Sequence, residues 1–233
     1  MLLRRSSNTQ QALSALQIVA LLTFMLAGLP SAVYSAPPPG PKTISIAEAR
    51  SRPLGTVVTV VGFVTVASGT FSSSTFDQGF AIQDSTGGIY VNVGVNHSLE
   101  PRQQVKVTGT LDDNVAPGLL VITDVTAIKV TGRGPRVVPD PVATGEVGEA
   151  TEGTIVRITG TITQPIVNDL PFGFIIVVND GSGEVNVFVC ASTGIDVSGF
   201  SPGQTIEVTG FSSQFADHFE VDPRTQDDIR VVN

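Results

Sequence analysis

Residues 80–91 read FAIQDSTGGIYV and decide the fold of this chain. Two short apolar runs flank an Asp-Ser-Thr-Gly-Gly turn, and side-chain character alternates along each run. Alternation with a period of two indicates β-strands, and a short glycine-rich turn between them is typical of a β-hairpin. In this register Ile82 and Ile89 point inward, and Gln83 and Tyr90 point outward.

Four blocks of sequence occur twice in the same order, which predicts two copies of one structural unit. The pairs are GTVVTVVG (55–62) with GTIVRITG (153–160), DSTGGIYV (84–91) with DGSGEVNV (180–187), PRQQVKVTG (101–109) with PGQTIEVTG (202–210), and IKV (128–130) with IRV (229–231).

Each unit reads as five strands, so the predicted class is all-β, with two tandem five-stranded barrels. In the first unit the strands are expected near 56–66, 78–84, 88–94, 103–111 and 119–130. Gly62 interrupts the first strand where a small barrel must bend. Ser45 and Glu48 have capping-box spacing before one short helix. The alternative architecture is a single two-sheet sandwich.

The stretches VTVVGFVT (58–65), FAIQDSTGGIYV (80–91) and VKVTGTL (105–111) carry a resemblance to a known family. They resemble the OB-fold and, more narrowly, the tRNA-anticodon-type OB-fold nucleic-acid-binding domain, copies of which occur in secreted bacterial proteins. The resemblance covers most of residues 55–130 and is weaker in the second unit. It implies binding of an oligonucleotide or oligosaccharide on the second and third strands and the loops beside them.

The first 35 residues are typical of a secretory signal peptide. Arg4 and Arg5 precede an apolar core that is too short to span a bilayer, and small residues follow near Ser35. The predicted organisation is a signal peptide at 1–35, a proline-rich spacer at 36–42, OB-like domains at 43–130 and 144–233, and a linker at 131–143. The expected location is secreted or periplasmic, without a membrane anchor after signal cleavage.

Charge is unevenly divided between the two units. Residues 43–138 hold seven cations and seven acids, whereas residues 139–233 hold three cations and fourteen acids. The whole chain has a net charge of -8, which argues against an indiscriminate nucleic-acid binder. If either unit contacts a phosphate backbone, the first unit is therefore expected to do so.

Binding of single-stranded nucleic acid needs exposed aromatic side chains interleaved with cations. The candidate residues for such a platform are Tyr90, Phe71, Phe76, Lys106 and Arg102. The alternative is that Phe71 and Phe76 plug the mouth of the barrel and that Tyr90 packs on the other unit.

No nucleophile elbow, phosphate loop or paired-cysteine motif is present, so we expect no enzymatic activity and no cofactor. His97 is expected in a solvated loop. Cys190 is unpaired in sequence and is expected at the end of a strand, pointing outward or into the following loop. His218, Glu220 and Asp222 share one strand face, which suits either a divalent cation or an acidic edge that discourages aggregation.

Two functions follow from these observations. The first is a secreted, non-catalytic OB-fold protein that binds single-stranded nucleic acid through its first domain. The second is a protein- or glycan-binding module of the cell surface or periplasm that uses the acidic second domain. Charge favours the second function and the family resemblance favours the first.

Overall fold

A computed structural model describes residues 42–71, 77–113 and 118–232. These residues form two closed five-stranded β-barrels in tandem, as predicted from the repeat. None of the helices in this part of the chain has the length and apolar character needed to traverse a bilayer. The predicted signal peptide lies outside the described residues.

In the first barrel, a short strand and a short helix precede the five strands of the barrel wall. Strand β1 (Thr43–Ile44) and helix α1 (Ile46–Arg50) precede β2 (Val57–Val66), β3 (Phe80–Gln83), β4 (Gly88–Val91), β5 (Gln103–Asp113) and β6 (Leu120–Arg133). The order around the barrel is β2-β3-β4-β6-β5, and β5 pairs with β2 to close it. Strand β4 runs parallel to β6, and the other barrel pairs are antiparallel.

The second barrel repeats this topology with one added strand. Its strands are β7 (Asp140–Pro141), β8 (Ile155–Ile162), β9 (Val167–Asp169), β10 (Gly173–Asn179), β11 (Glu184–Cys190), β12 (Thr205–Phe215), β13 (His218–Asp222) and β14 (Ile229–Val231). The order β8-β10-β11-β13-β12 closes through the pairing of β12 with β8. Strand β9 extends the sheet beside β10.

Each barrel has its own apolar core, and the inward register expected at the sequence level is confirmed. Ile82 and Ile89 are fully buried in the first core, and Ile176 and Val187 are fully buried in the second. Helix α1 buries Ile46 and Ala49 against the first core. Separate cores agree with two barrels rather than one sandwich.

Ser45 caps the start of α1, as its spacing from Glu48 predicted, because its Oγ accepts a hydrogen bond from Glu48 N at 3.2 Å. The hairpin turn also holds this helix, because Asp84 Oδ2 accepts from Ile46 N at 2.9 Å. The second barrel repeats the device, since Asp180 Oδ2 accepts from Thr144 N at 3.1 Å. The Asp of each repeated turn therefore anchors the start of its own barrel.

The predicted linker at 131–143 is shorter in the structure. Strand β6 continues to Arg133, and Asp140–Pro141 form β7, which pairs in parallel with β8. Both ends of the expected linker thus belong to the barrels that they connect.

The two barrels share a third apolar cluster. The first barrel contributes Val66, Phe71, Ala81, Tyr90, Leu119 and Val121, and the second contributes Ile155, Cys190 and Phe211. Most of the first-barrel members lie on the outer face of its strands, where an uncovered apolar side chain would contact water. Burial of this face holds the barrels together.

Polar contacts cross the same interface. Gln83 Oε1 accepts from Ile155 N at 3.0 Å, Arg224 Nη1 donates to Thr65 O at 3.0 Å, and Arg50 Nη2 lies 2.9 Å from Glu152 Oε1. The backbones of Gly88 and Gly153 approach so closely that a Cβ on either residue would clash with the other. Gly153 also has a φ of +83°, which favours glycine.

Candidate nucleic-acid interface

The predicted platform does not form as one surface, because two of its aromatic residues lie between the barrels. Tyr90 does point out of the first core, but its side chain is covered and the residue is only 2% exposed. Its ring centroid lies 6.0 Å from that of Phe211, and Phe71 lies 6.4 Å from the same ring. A base has no access to Tyr90 in this arrangement. The expectation of an exposed Tyr90 is wrong, and the alternative, in which it packs on the other unit, is confirmed.

The hydroxyl of Tyr90 is also engaged. It donates to Asp77 Oδ1 at 2.8 Å, and Asp77 is itself buried. Burial, with the nearby Asp77 carboxylate adding to it, holds the pKa of the Tyr90 phenol far above its usual range. Tyr90 is therefore a neutral structural side chain. Phe76 lies outside the described residues.

The two predicted cations, Lys106 and Arg102, lie on another part of the barrel. Lys106 is on the outer face of β5, opposite Val61 of β2 and Lys129 of β6. Arg102 precedes β5 with a φ of +78°. Its Nε donates to Gly134 O at 2.9 Å, and its own carbonyl accepts from Gly134 N at 2.9 Å.

The lysine pair is a departure from the repeat. The corresponding pair in the second barrel is Glu207 with Arg230, which are opposite each other in the β12–β14 register and form an ion pair at 2.7 Å. Like charges directly opposite one another destabilise a sheet, whereas opposite charges stabilise it. At this cross-strand position the second barrel therefore has an ion pair with no net charge, whereas the first barrel has two cations.

Two further groups extend the surface around Lys106. Phe63 of β2 is half-buried, lies on the same outer face as Val61, and packs its ring against Gly134. Arg133, at the end of β6, is exposed and pairs in register with Gln103. We call Phe63, Arg102, Lys106, Lys129 and Arg133 the basic face.

The candidate platform did not include three members of the basic face, Phe63, Lys129 and Arg133, although Lys129 and Arg133 were counted among the cations of the first unit. The signal for Lys129 was present, because the repeat aligns Lys106 with Glu207 and Lys129 with Arg230. No comparable signal marks Phe63, since an aromatic residue in a strand reads equally well as core.

The cations of the basic face have no carboxylate partners within the described ranges. The ion pairs found there involve Arg50, Arg52, Arg224, Arg230 and His218. The basic face thus combines four cations with one half-buried aromatic side chain, and these are the residue types that contact phosphates and bases in single-stranded nucleic acid.

The other singled-out residues are placed as follows. His97 is exposed and lines a groove of about 340 Å³ with apolar neighbours that include Leu99 and Ile128. Cys190 ends β11 and points away from the core of its own barrel, as expected, but it is only 3% exposed because the interface between the barrels covers it. Its thiol lies 3.1 Å from Ser192 Oγ.

The His218, Glu220 and Asp222 face is mostly buried. His218 Nε2 lies 3.8 Å from Glu220 Oε2, and Glu220 and Asp222 are 8% and 7% exposed. Across the described part of the chain, no three His, Cys, Asp or Glu side chains are grouped so as to hold a metal ion. The exposed acidic edge expected as the alternative is not found either, because both carboxyls are covered.

No protein-family model matches the sequence, and no curated protein matches it. Among solved structures, a murine DNA-binding protein bound with double-stranded DNA is 14% identical, covering 75% of this chain and 95% of that chain with a TM-score of 0.40. The hypothetical protein ygiW from E. coli is 22% identical, covering 42% of this chain and 96% of that chain with a TM-score of 0.30. Fission yeast Pot1 with single-stranded DNA is 11% identical, covering 78% and 85% with a TM-score of 0.31.

At these identities and TM-scores the similarities say nothing about ligand, and the fold class does not depend on them. The strand order by itself defines the class as a protein of two tandem OB-like barrels. The narrower resemblance to the tRNA-anticodon type stays a prediction.

Proposed function

We propose that this chain is a secreted, non-catalytic protein that binds single-stranded nucleic acid through the basic face of its first barrel. The observation that carries the proposal is the Lys106–Lys129 pair, which occupies the position of the Glu207–Arg230 ion pair in the second barrel. An uncompensated cross-strand cation pair costs stability. A polyanionic ligand would supply the missing counter-charge.

The site differs from the one that the OB resemblance implies. The outer face of β3 and β4 in the first barrel is covered by the second barrel, since Ala81 and Tyr90 are buried in the shared cluster. The outer face of β5 and β6 remains open, with Lys129 exposed and Lys106 half-buried. The proposed contact therefore lies on the closing hairpin of the barrel.

The test is fluorescence anisotropy of a labelled single-stranded oligonucleotide with the full chain across a salt series. Lys106→Glu restores the charge pattern of the second barrel and should leave the protein at least as stable. It should weaken binding roughly tenfold at low salt. It should also make the salt slope shallower by about 0.7, which corresponds to one phosphate of a single strand that is no longer neutralised.

Arg230→Gln is the matched control, because Arg230 occupies the equivalent position of the second barrel. It should leave the affinity unchanged. Equal binding by the parent chain and Lys106→Glu would contradict the proposed site, and absence of salt-dependent binding would contradict the proposed function.

A second candidate function is a protein- or glycan-binding module formed by the acidic second barrel. Its support is a group of large apolar side chains around the β9–β10 turn, where Val167, Leu170 and Phe172 are 48%, 56% and 48% exposed. Apolar contacts of this kind would persist at high salt. Salt-insensitive binding of a glycan or protein that is abolished in Leu170→Ser would favour this function.

A further inference from the structure

Two carboxyl groups are buried side by side where the barrels meet. Glu220 and Asp222 are two residues apart on β13 and therefore share one face of the strand. Asp222 is paired in register with Phe211, and Phe211 packs on Tyr90 across the interface. The two carboxyls thus lie beside the apolar cluster that joins the barrels.

The groups around these carboxyls do not neutralise them. On the neighbouring strands, Ser213 of β12 donates a hydrogen bond to Asp222, and Cys190 and Glu184 are carried by β11. Glu184 is exposed and accepts from Thr163 Oγ1. Asp222 Oδ1 is buried without a hydrogen-bond partner.

The remaining charged neighbours either bind other groups or lie too far from the two carboxyls to form a short ion pair. Arg224 binds both carboxylate oxygens of Asp228 and donates to Thr65 O. His218 Nε2 lies 3.8 Å from Glu220, with Asp217 on its other nitrogen at 3.5 Å. From the first barrel, the Tyr90 hydroxyl and Asp77 face the same region.

Burial disfavours the charged form of an unpaired carboxyl. It raises the pKa of Glu220 to about 7. Burial, together with the adjacent Glu220 charge, raises the pKa of Asp222 well above its usual range. Both carboxyls therefore keep their protons at pH values at which an exposed carboxyl would already be ionised.

We propose that the contact between the barrels is a proton-operated latch, closed while Glu220 and Asp222 are neutral and loosened when they ionise. Ionisation places two like charges in an interface without a free cation. Separation of the barrels allows water to solvate the two carboxylates, and it exposes the outer face of β3 and β4. This inference does not depend on the proposed nucleic-acid binding.

The sign of the pH dependence follows from linkage. The closed state binds more protons than the open state, so closure is favoured at acidic pH and is lost as pH rises through about 7, the pKa of Glu220 in the closed state. For each group the opening equilibrium constant should rise by up to about tenfold per pH unit between the ordinary pKa of an exposed carboxyl and the raised pKa of the closed state, and it should level off above that raised pKa.

Tyrosine fluorescence reports the state of the latch directly. The chain has no Trp and two Tyr residues, so the Tyr34→Phe variant leaves Tyr90 as its single fluorophore of this kind. Acrylamide quenching is measured from pH 5 to pH 9, with far-UV circular dichroism recorded on the same samples. We expect quenching to be low at pH 5 and to have increased by pH 9, while the far-UV signal stays constant.

Glu220→Gln and Asp222→Asn mimic the protonated carboxyls and should fold as the closed form. Each should reduce the pH dependence of quenching, and the double variant should abolish it. Asp217→Asn is the control, because Asp217 lies on the adjoining turn with a 95% exposed side chain, and it should preserve the full dependence.

Three outcomes would overturn the latch. Quenching that stays low through pH 9 would show that ionisation of these carboxyls does not open the interface. An increase that persists in the double variant would assign the effect to another group. Loss of the far-UV signal over the same pH range would show unfolding of the barrels themselves.

Discussion

Arg50 shows how a single side chain on a short helix joins two barrels. Its Nη2 lies 2.9 Å from Glu152 Oε1, and the Glu152 side chain is 1% exposed. Burial raises the pKa of Glu152, and Arg50 partly offsets that effect. Glu152 also accepts from Leu120 N at 3.2 Å, so one carboxylate binds both α1 and the start of β6.

Arg50→Met should therefore be strongly destabilising, since it leaves Glu152 buried without its cation. Breaking a buried ion pair in this way costs roughly 3–5 kcal/mol. The measurement is the free energy of unfolding from urea denaturation at pH 7.

The matched control lies two residues further along the chain. Arg52 pairs with Glu48 on the surface, where the two side chains are 49% and 45% exposed. Arg52→Met should cost no more than about 1 kcal/mol. Similar destabilisation in the two variants would contradict the role assigned to Arg50.

At the scale of elements, the repeated hairpin turn does more than reverse the chain. Asp84 Oδ1 accepts from Thr86 N at 2.7 Å and Gly87 N at 3.1 Å, while Oδ2 accepts from Ile46 N at 2.9 Å. Asp180 makes the equivalent bonds to Ser182 and Thr144. These bonds hold the pKa of Asp180 below its usual range.

We expect Asp84→Ala to lower the free energy of unfolding by about 1–3 kcal/mol, because Ile46 N loses its acceptor at a helix start that is packed on the core. Hydrogen exchange at the Ile46 amide should accelerate in the same variant. Asp227→Ala, at an exposed position in a short helical turn, should stay within about 0.5 kcal/mol of the parent chain. Unchanged exchange at Ile46 would be inconsistent with an anchoring role for Asp84.

For the whole molecule, the shared apolar cluster makes the two barrels one thermodynamic unit. The described residues belong to a single compact unit, and Phe211 of the second barrel contacts both Phe71 and Tyr90 of the first. Separating the folded barrels would expose a continuous apolar patch to water, which is unfavourable.

Calorimetry at pH 5 should accordingly show one cooperative transition, with equal calorimetric and van't Hoff enthalpies. The latch predicts that the transition becomes less cooperative toward pH 9. Two resolved transitions at pH 5 would show that the shared cluster contributes little to stability.

Much of this architecture was accessible from the sequence because it depends on local patterns. Period-two alternation identified the strands and their inward residues, and the turn glycines located the hairpins. The repeat then reduced the problem to one barrel. The fold class and the strand register depend on contacts between neighbouring strands of a hairpin. The alternation of apolar and polar residues in the sequence indicates these contacts.

The candidate site was less predictable because exposure is a property of the assembled chain. Sequence showed which side of β4 carries Tyr90 but not what covers that side. A hint existed, since β3 and β4 carry apolar residues on both faces, as strands buried on both sides do.

Local sequence patterns were enough to predict two barrels, the inward-facing residues of their strands and the uneven division of charge between them. Three features appear only once the chain is folded: the second barrel covers the β3–β4 face, half-buried Lys106 lies opposite exposed Lys129, and Glu220 and Asp222 are buried. The physical reason is that each of these outcomes depends on contacts between distant segments, which bring together side chains that no local pattern relates.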